Sequence, residues 1–309
     1  MTLIASALAD VTVGEVTSFR NLTLFPLMKG RHHHAGYHTL GEALILGGIR
    51  VTEVSDAGSV PELKVTNSLD RPVLLLDGEE LVGAKQNRVF NLSILVPANS
   101  ELLVPVSCVE AGRWQRSSPE FRRAGRAQYA AGRAERVSQV SDSLESAGLR
   151  RSAQSEVWQD IAAKGKRMGV DSETGAMADI YRQFEGTVDE FVKGLPVRDG
   201  QVGAVFAIGD RIVGLDLFDA DATFRSLLET LVQSYALDAL ESPGSEATST
   251  ADSAAAFLKS VGSAPSTLFK AVGLGDDLRL RDDAVSGAAL VVDGELVHLC
   301  AYPAGVGHR

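Results

Sequence analysis

Hydrophobic positions along this 309-residue chain shift from a strand-like to a helical period and back again. Up to about Trp114, short runs rich in Val, Ile and Leu are bounded by Gly, Pro, Asn and Asp. They predict strands at Leu22–Leu27, Ile49–Val54, Glu62–Thr66, Val73–Leu76, Val89–Val96 and Leu102–Val109. Asp77-Gly78, between Val73–Leu76 and Glu79–Gly83, predicts a hairpin, because a two-residue type I′ turn needs positive φ at both centres. From about 115 to 195 the pattern turns helical. Ser118-Pro119-Glu120 reads as a helix start, with Ser as N-cap and Pro in the first turn. A second helix is expected over Gln154–Met168. A third is expected where Met177, Ile180, Tyr181, Phe184, Val188, Phe191 and Val192 recur at helical spacing and form a core-facing stripe.

Beyond 195, Val202–Ile208 and Arg211–Leu217 flank a second hairpin signal, Gly209-Asp210. A long helix carrying Phe224, Leu227, Leu228, Leu231, Val232 and Tyr235 follows. Next come a polar loop over Glu241–Asp252, a short helix at Ala254–Val261, and strands at Leu268–Val272, Leu278–Arg281, Ala288–Val292 and Leu296–Ala301. Apolar–turn–apolar runs begin at Val73, Ala204 and Ala289, and three good hairpins explain the likeness without a duplication. These elements predict an α+β fold in one intertwined domain spanning 1–309. A β-rich part (1–114), a helical part (115–195) and a mixed part (196–309) compose it. Antiparallel strands from the N- and C-terminal parts form the sheet or barrel-like core, and the central helical segment packs on it.

Composition narrows the class. Hydrophobic residues at 45% and charged residues at 23% are ordinary for a globular chain of a length that buries its own core. A formal net charge of −10 argues against a whole-surface nucleic-acid binder. Cys108 and Cys300, the two cysteines, sit in apolar contexts and predict buried packing groups rather than a disulfide framework. The first residues lack the basic start of a leader, and no apolar run reaches the ~18 residues of a membrane span. The cytoplasm is the expected compartment.

Polar chemistry concentrates between Asp77 and Trp114. Alternation over 87–96 places Phe90, Leu92, Ile94 and Val96 on one face and Asn87, Asn91 and Ser93 on the other. Over 102–110, Cys108 and Glu110 share a face with Val104 and Val106. Glu80 and Glu110 are the candidate catalytic carboxylates, as general bases or ligands for a hard cation. Gln86, Asn87, Arg88, Asn91, Arg113 and Trp114 are the candidate ligand-binding residues, since amides and a guanidinium fork suit phosphate and ribose. Cys108 has no activator nearby in sequence and reads as packing.

The run GEELVGAKQNR, followed by a strand pair and SCVEAGRW, resembles the ARPP-1 domain of bacteria, the ARG and rhodanese-phosphatase-superfamily-associated protein domain. The likeness extends from about Phe25 to Tyr302. It rests on Gly78, Glu80, Gly83, Ala84, Gln86, Asn87, Arg88, Cys108, Glu110, Gly112, Arg113 and Trp114. The resemblance implies an association with ADP-ribosylglycohydrolases and rhodanese-type phosphatases, and so a link to NAD or ADP-ribose metabolism. It carries no established reaction and names no cofactor.

Two other constellations need weighing. His32, His33, His34 and His38 invite a metal reading, but three adjacent histidines cannot point one way and zinc-type spacing is missing, so an exposed loop with three histidines and no metal site is expected. Arg122, Arg126, Tyr129, Arg133 and Arg136 fall on one helical stripe. From Arg113 to Arg167 there are 12 basic and 6 acidic residues. Arg122, Arg126 and Arg133 are candidate anion-binding groups, and the competing reading pairs the stripe with the protein's own carboxylates. Too few aromatic residues accompany it for single-stranded nucleic acid. Gly-rich phosphate loops and GxSxG are missing.

Two function classes fit. One is an enzyme or receptor for a nucleotide-like, ADP-ribose-like ligand. The other is a non-catalytic binding or assembly module whose polar cluster is structural and whose arginines dock an acidic partner. The catalytic reading requires Arg88, Glu110 and Arg113 to converge without saturating one another.

Overall fold

A computed structural model describes residues 2–30, 35–55, 61–115, 117–242 and 249–306. The predicted histidines His32–His34 and residues 243–248 of the predicted polar loop lie outside them. Within the described residues the fold is α+β, as the patterning predicts, with antiparallel pairing nearly throughout.

The largest sheet has nine strands. In spatial order it runs β1 (Thr12–Val13), β3 (Leu22–Met28), β13 (Gln201–Ile208), β14 (Arg211–Phe218), β18 (Glu295–Pro303), β17 (Val285–Val292), β16 (Asp276–Arg281) and β15 (Ser266–Lys270), with β2 (Thr17–Phe19) paired to β3. N- and C-terminal strands are therefore neighbours: Phe25 of β3 pairs with Val205 of β13. The Gly209-Asp210 and Asp293-Gly294 hairpins form as expected. β13 is buried along its whole length because both faces are covered. Ala204, Phe206 and Ile208 face α6 (Glu185–Gly194) and α7 (Asp221–Glu241), with Phe206 and Tyr235 stacked 3.9 Å apart. Val205 and Ala207 share the opposite core with Ile4 of α1 (Leu3–Ala9) and with Phe257 and Val261 of α8 (Ala251–Ser263).

The other N-terminal strands build two smaller sheets. Six strands run β12 (Phe121–Ala127), β8 (Glu79–Gly83), β9 (Arg88–Phe90), β11 (Ser100–Cys108), β6 (Glu62–Asn67) and β5 (Ile49–Glu53). Three run β10 (Ile94–Val96), β7 (Val73–Leu75) and β4 (His38–Thr39), the last pair parallel and followed by α2 (Leu40–Ile45). α3 (Ala130–Ala147), α4 (Gln154–Arg167) and α5 (Met177–Gln183) complete the fold. No helix of the described residues is long and apolar enough to cross a membrane.

Four local expectations are corrected. Asp77-Gly78 turns the chain, but β7 pairs with β10 and β8 with β9 and β12, so the flanking strands part into different sheets. The run 89–96 splits into β9 and β10, because Asn91-Leu92-Ser93 carries the chain from one sheet to the other. The aromatic helix breaks at Phe184 (φ −111°, ψ 12°) into α5 and α6, although Met177, Ile180, Tyr181, Val188 and Phe191 remain buried. Ser118-Pro119-Glu120 opens a strand, β12, rather than a helix. Gly125 weakens a helix interior by about 1 kcal/mol relative to Ala, and β12 gains a ladder with β8 whose buried Glu79 and Glu80 draw in Arg123 and Arg126. The arginine stripe is therefore divided, with Arg122 and Arg126 on a strand and Arg133 and Arg136 on α3.

Candidate functional site

The sheet register brings the two polar blocks together. Cys108 of β11 pairs with Arg88 of β9, which pairs with Leu81 of β8. Just beyond, the Val109 N–H donates to the Asn87 carbonyl at 3.0 Å. Gly83 permits the turn out of β8, since its φ is +127° and a Cβ there would lie 2.8 Å from the Glu120 carbonyl oxygen. Ala84 follows at φ +41°, a costly conformation for a residue with a side chain. Gly112 lets the second block lie against another segment, its N–H donating to the Thr174 carbonyl at 2.7 Å.

Glu110 and Arg113 form a closed clamp. The Glu110 carboxylate accepts from the Asn87 N–H (3.1 Å), Arg113 Nη2 (2.7 Å) and the Thr174 hydroxyl (3.0 Å). Arg113 also donates to the Ala84 and Gln115 carbonyls at 2.9 and 3.0 Å, and to Asn87 Oδ1 at 3.1 Å. These hydrogen bonds tie the β8–β9 turn to the end of β11 and to residues 174–176. They engage both Glu110 oxygens and both Arg113 Nη atoms with protein atoms, so Glu110 holds these segments in place.

Arg88 is different. It is wholly buried, and only Nη1 is spent, donating to Gln86 Oε1 at 3.1 Å. Nη2 stands 4.0 Å from Glu53 Oε1, while among the described residues Nε and Nη2 find no hydrogen-bond partner, and neither does Glu53 Oε2. Burial pulls the guanidinium pKa down, against Cys108 and Glu53, which favour its charge. The same burial pushes the Cys108 thiol up to about 11, which leaves it a neutral packing group, as its context predicts. Trp114 covers this corner. It is 46% exposed, with Arg88 Cζ 5.8 Å and Lys85 Nζ 5.3 Å from its ring centroid.

The remaining candidates lie outside that corner. Asn91 donates to the Arg150 carbonyl at 3.0 Å and accepts from Ser107. Glu80 is fully buried and 2.5 Å from Arg126 Nε, with Oε1 unpartnered among the described residues. Desolvation outweighs that arginine and raises the Glu80 pKa. A carboxyl whose folded pKa is raised weakens the fold as pH climbs from its ordinary value of about 4.3 through the raised one. Glu80→Gln should therefore flatten the decline in Tm over that window, measured by scanning fluorimetry; an unchanged slope would refute this assignment.

Arg133 does not face solvent. It is wholly buried between Asp216 (2.7 Å to Nη2) and Asp77 (3.2 Å to Nε), and Arg136 donates to the other Asp77 oxygen at 2.8 Å. Three of the stripe arginines, Arg126, Arg133 and Arg136, are thus paired with the protein's own carboxylates, and the predicted residues do not form one anion-facing row. Asp216 also accepts from Tyr235 at 3.0 Å and stands 3.2 Å from His298 Nε2, while His298 Nδ1 stands 2.8 Å from the Ser93 hydroxyl. No sequence motif points to this centre. Its signal was a single carboxylate in VGLDLF and a single imidazole in LVHLC, each isolated in an apolar strand. The adjoining cavity is about 10 Å³, room for one water rather than a substrate.

A family model described as ARPP-1, the ARG and Rhodanese-Phosphatase-superfamily-associated Protein domain, matches residues 10–302. No curated protein and no solved structure matches the chain.

Proposed function

The chain belongs to the ARPP-1 family, and from that premise we propose that it binds a phosphorylated, nucleotide-like small molecule at the corner formed by Trp114, Lys85 and Arg88. One observation carries the reading: a fully buried guanidinium keeps two nitrogens without acceptors among the described residues, behind a half-exposed tryptophan. Buried arginine donors are expensive to leave unmade, and a phosphate oxygen is their best-matched acceptor. Rotation of Trp114 would open Arg88 to such a group, and the ring face would stack on a base. Gln86 orients Arg88, and the Glu110–Arg113–Asn87 clamp fixes the turn that carries it. The family's association with ADP-ribosylglycohydrolases and rhodanese-type phosphatases makes ADP-ribose and NAD the first ligands to try. Acid–base roles for Glu80 and Glu110 have less support, because both are held in ion pairs.

The chain has two tryptophans, so Trp158→Phe leaves Trp114 as the only indole reporter. In that background ADP-ribose should quench the fluorescence saturably, and inorganic phosphate should compete. Arg88→Met should abolish the response while retaining the fold, because most of the guanidinium's donors are unspent. Absence of any fluorescence or Tm change with ADP-ribose, NAD and phosphate would sink the reading.

A further inference from the structure

A second site lies away from both polar blocks. A cavity of about 530 Å³, within the range that holds small molecules, opens between α3, α4 and α7 on one side and the β13–β14 hairpin on the other. Ile208 and Val213 supply an apolar wall. The helical wall is charged, and nearly all its charge is internally matched. Lys164 Nζ lies 2.6 Å from Asp238 and 2.5 Å from Glu241. Arg167 donates to the other Glu241 oxygen, and the Ala131 N–H donates to the other Asp238 oxygen at 2.7 Å.

Asp160 is the exception. Its Oδ2 accepts from the Tyr129 hydroxyl at 2.5 Å, while its Oδ1 accepts no hydrogen bond from the described residues. Among the described residues, three carboxylates thus meet only Lys164 and Arg167 on that wall. Arg211 also lines the cavity, but it is exposed and makes no ion pair among the described residues, so solvent screens it. Lys164 is held protonated by its two carboxylates and Tyr129 is held neutral by burial, so neither offers a nucleophile or a base. What this wall offers a ligand is one half-buried carboxylate oxygen beside an apolar surface.

We infer that this cavity binds a small molecule with an apolar body and a protonated amine, the amine seated on Asp160 and the body against Ile208 and Val213. The inference is independent of the nucleotide-like site. Burial raises the Asp160 pKa, and a cationic ligand would reverse that by favouring the carboxylate.

Three matched probes test it by calorimetry: phenethylamine, neutral 2-phenylethanol and anionic phenylacetate. Phenethylamine should bind roughly tenfold or more tighter than either of the others, the margin of a charge-assisted hydrogen bond. Asp160→Asn should erase that margin and leave 2-phenylethanol binding unchanged. Val213→Trp, which fills the cavity from the hairpin without touching a charge, should abolish binding of all three. Equal affinities for the three probes in the wild type, no binding at all, or an amine preference that survives Asp160→Asn would each overturn the inference. Failure of Asp160→Asn to fold leaves the wild-type preference and the Val213→Trp result to decide it.

Discussion

Asp216→Ala should cost about 3–5 kcal/mol of folding free energy, the usual result of leaving a buried charge without its partner. The carboxylate is wholly buried and serves Arg133 twice, at 2.7 and 3.2 Å, as well as Tyr235 and His298. Asp77 alone cannot replace it, since Asp77 is already shared between Arg133 and Arg136. Urea unfolding should show a lower midpoint with an unchanged m-value. Arg133→Met in the same background should recover part of the loss, because an apolar side chain of similar length removes the stranded charge. A cost below about 1 kcal/mol, the level of a surface pair, would show that the centre is hydrated or open. The pH dependence has a definite sign. Burial alone would raise the Asp216 pKa, but Arg133 and His298 outweigh it and hold it below the ordinary value. Its contribution is therefore complete above the unfolded carboxylate pKa and is lost as pH falls through the depressed folded one. Acid unfolding of the wild type should contain this step, and Asp216→Ala should lack it.

Glu110→Ala should cost a similar amount, about 3–5 kcal/mol, for a different reason. It strands Arg113 and removes acceptors for the Asn87 N–H and the Thr174 hydroxyl. Glu110→Gln keeps one acceptor but loses the charge, so it should fall lower, about 1.5–3 kcal/mol. The damage should be local before it is global. Hydrogen exchange should rise first at residues 84–87 and 174–176, the segments that Glu110 holds against the end of β11. If Glu110→Ala is neutral while nucleotide binding is lost, Glu110 contacts ligand directly and its positioning role is wrong.

The two outcomes separate two uses of buried charge in one fold. The Asp77–Arg133–Asp216 centre joins α3 to the nine-stranded sheet, far from solvent. The Glu110–Arg113 clamp lies at a strand end and shapes the turn that presents Arg88 and Trp114. Both explain why polar residues of the motif blocks are so deeply buried. The motif glycines fit the same account, because Gly78 is packed against Arg133 and Arg136, where a Cβ would come within 2.9 Å of Arg133 Cγ.

Periodicity placed most strands and helices, turn residues placed the Gly209-Asp210 and Asp293-Gly294 hairpins, and apolar context gave Cys108 its packing role. It also grouped Gln86–Arg88 with Glu110 and Trp114, because an alternating strand pair has few ways to return. These are local properties: side-chain size, turn chemistry and the two-residue repeat act within a few positions. Only the tertiary structure decided which strands share a sheet, that Ser118–Ala127 is extended rather than helical, and which arginine meets which carboxylate. Capping and propensity at that segment are worth about 1 kcal/mol. The ladder with β8 and the pairing of Arg123 and Arg126 with buried carboxylates outweigh that, and their partners lie more than forty residues away. The arginine stripe shows the same limit: sequence gives the spacing and sign of the charges, while burial decides whether they face a ligand or one another.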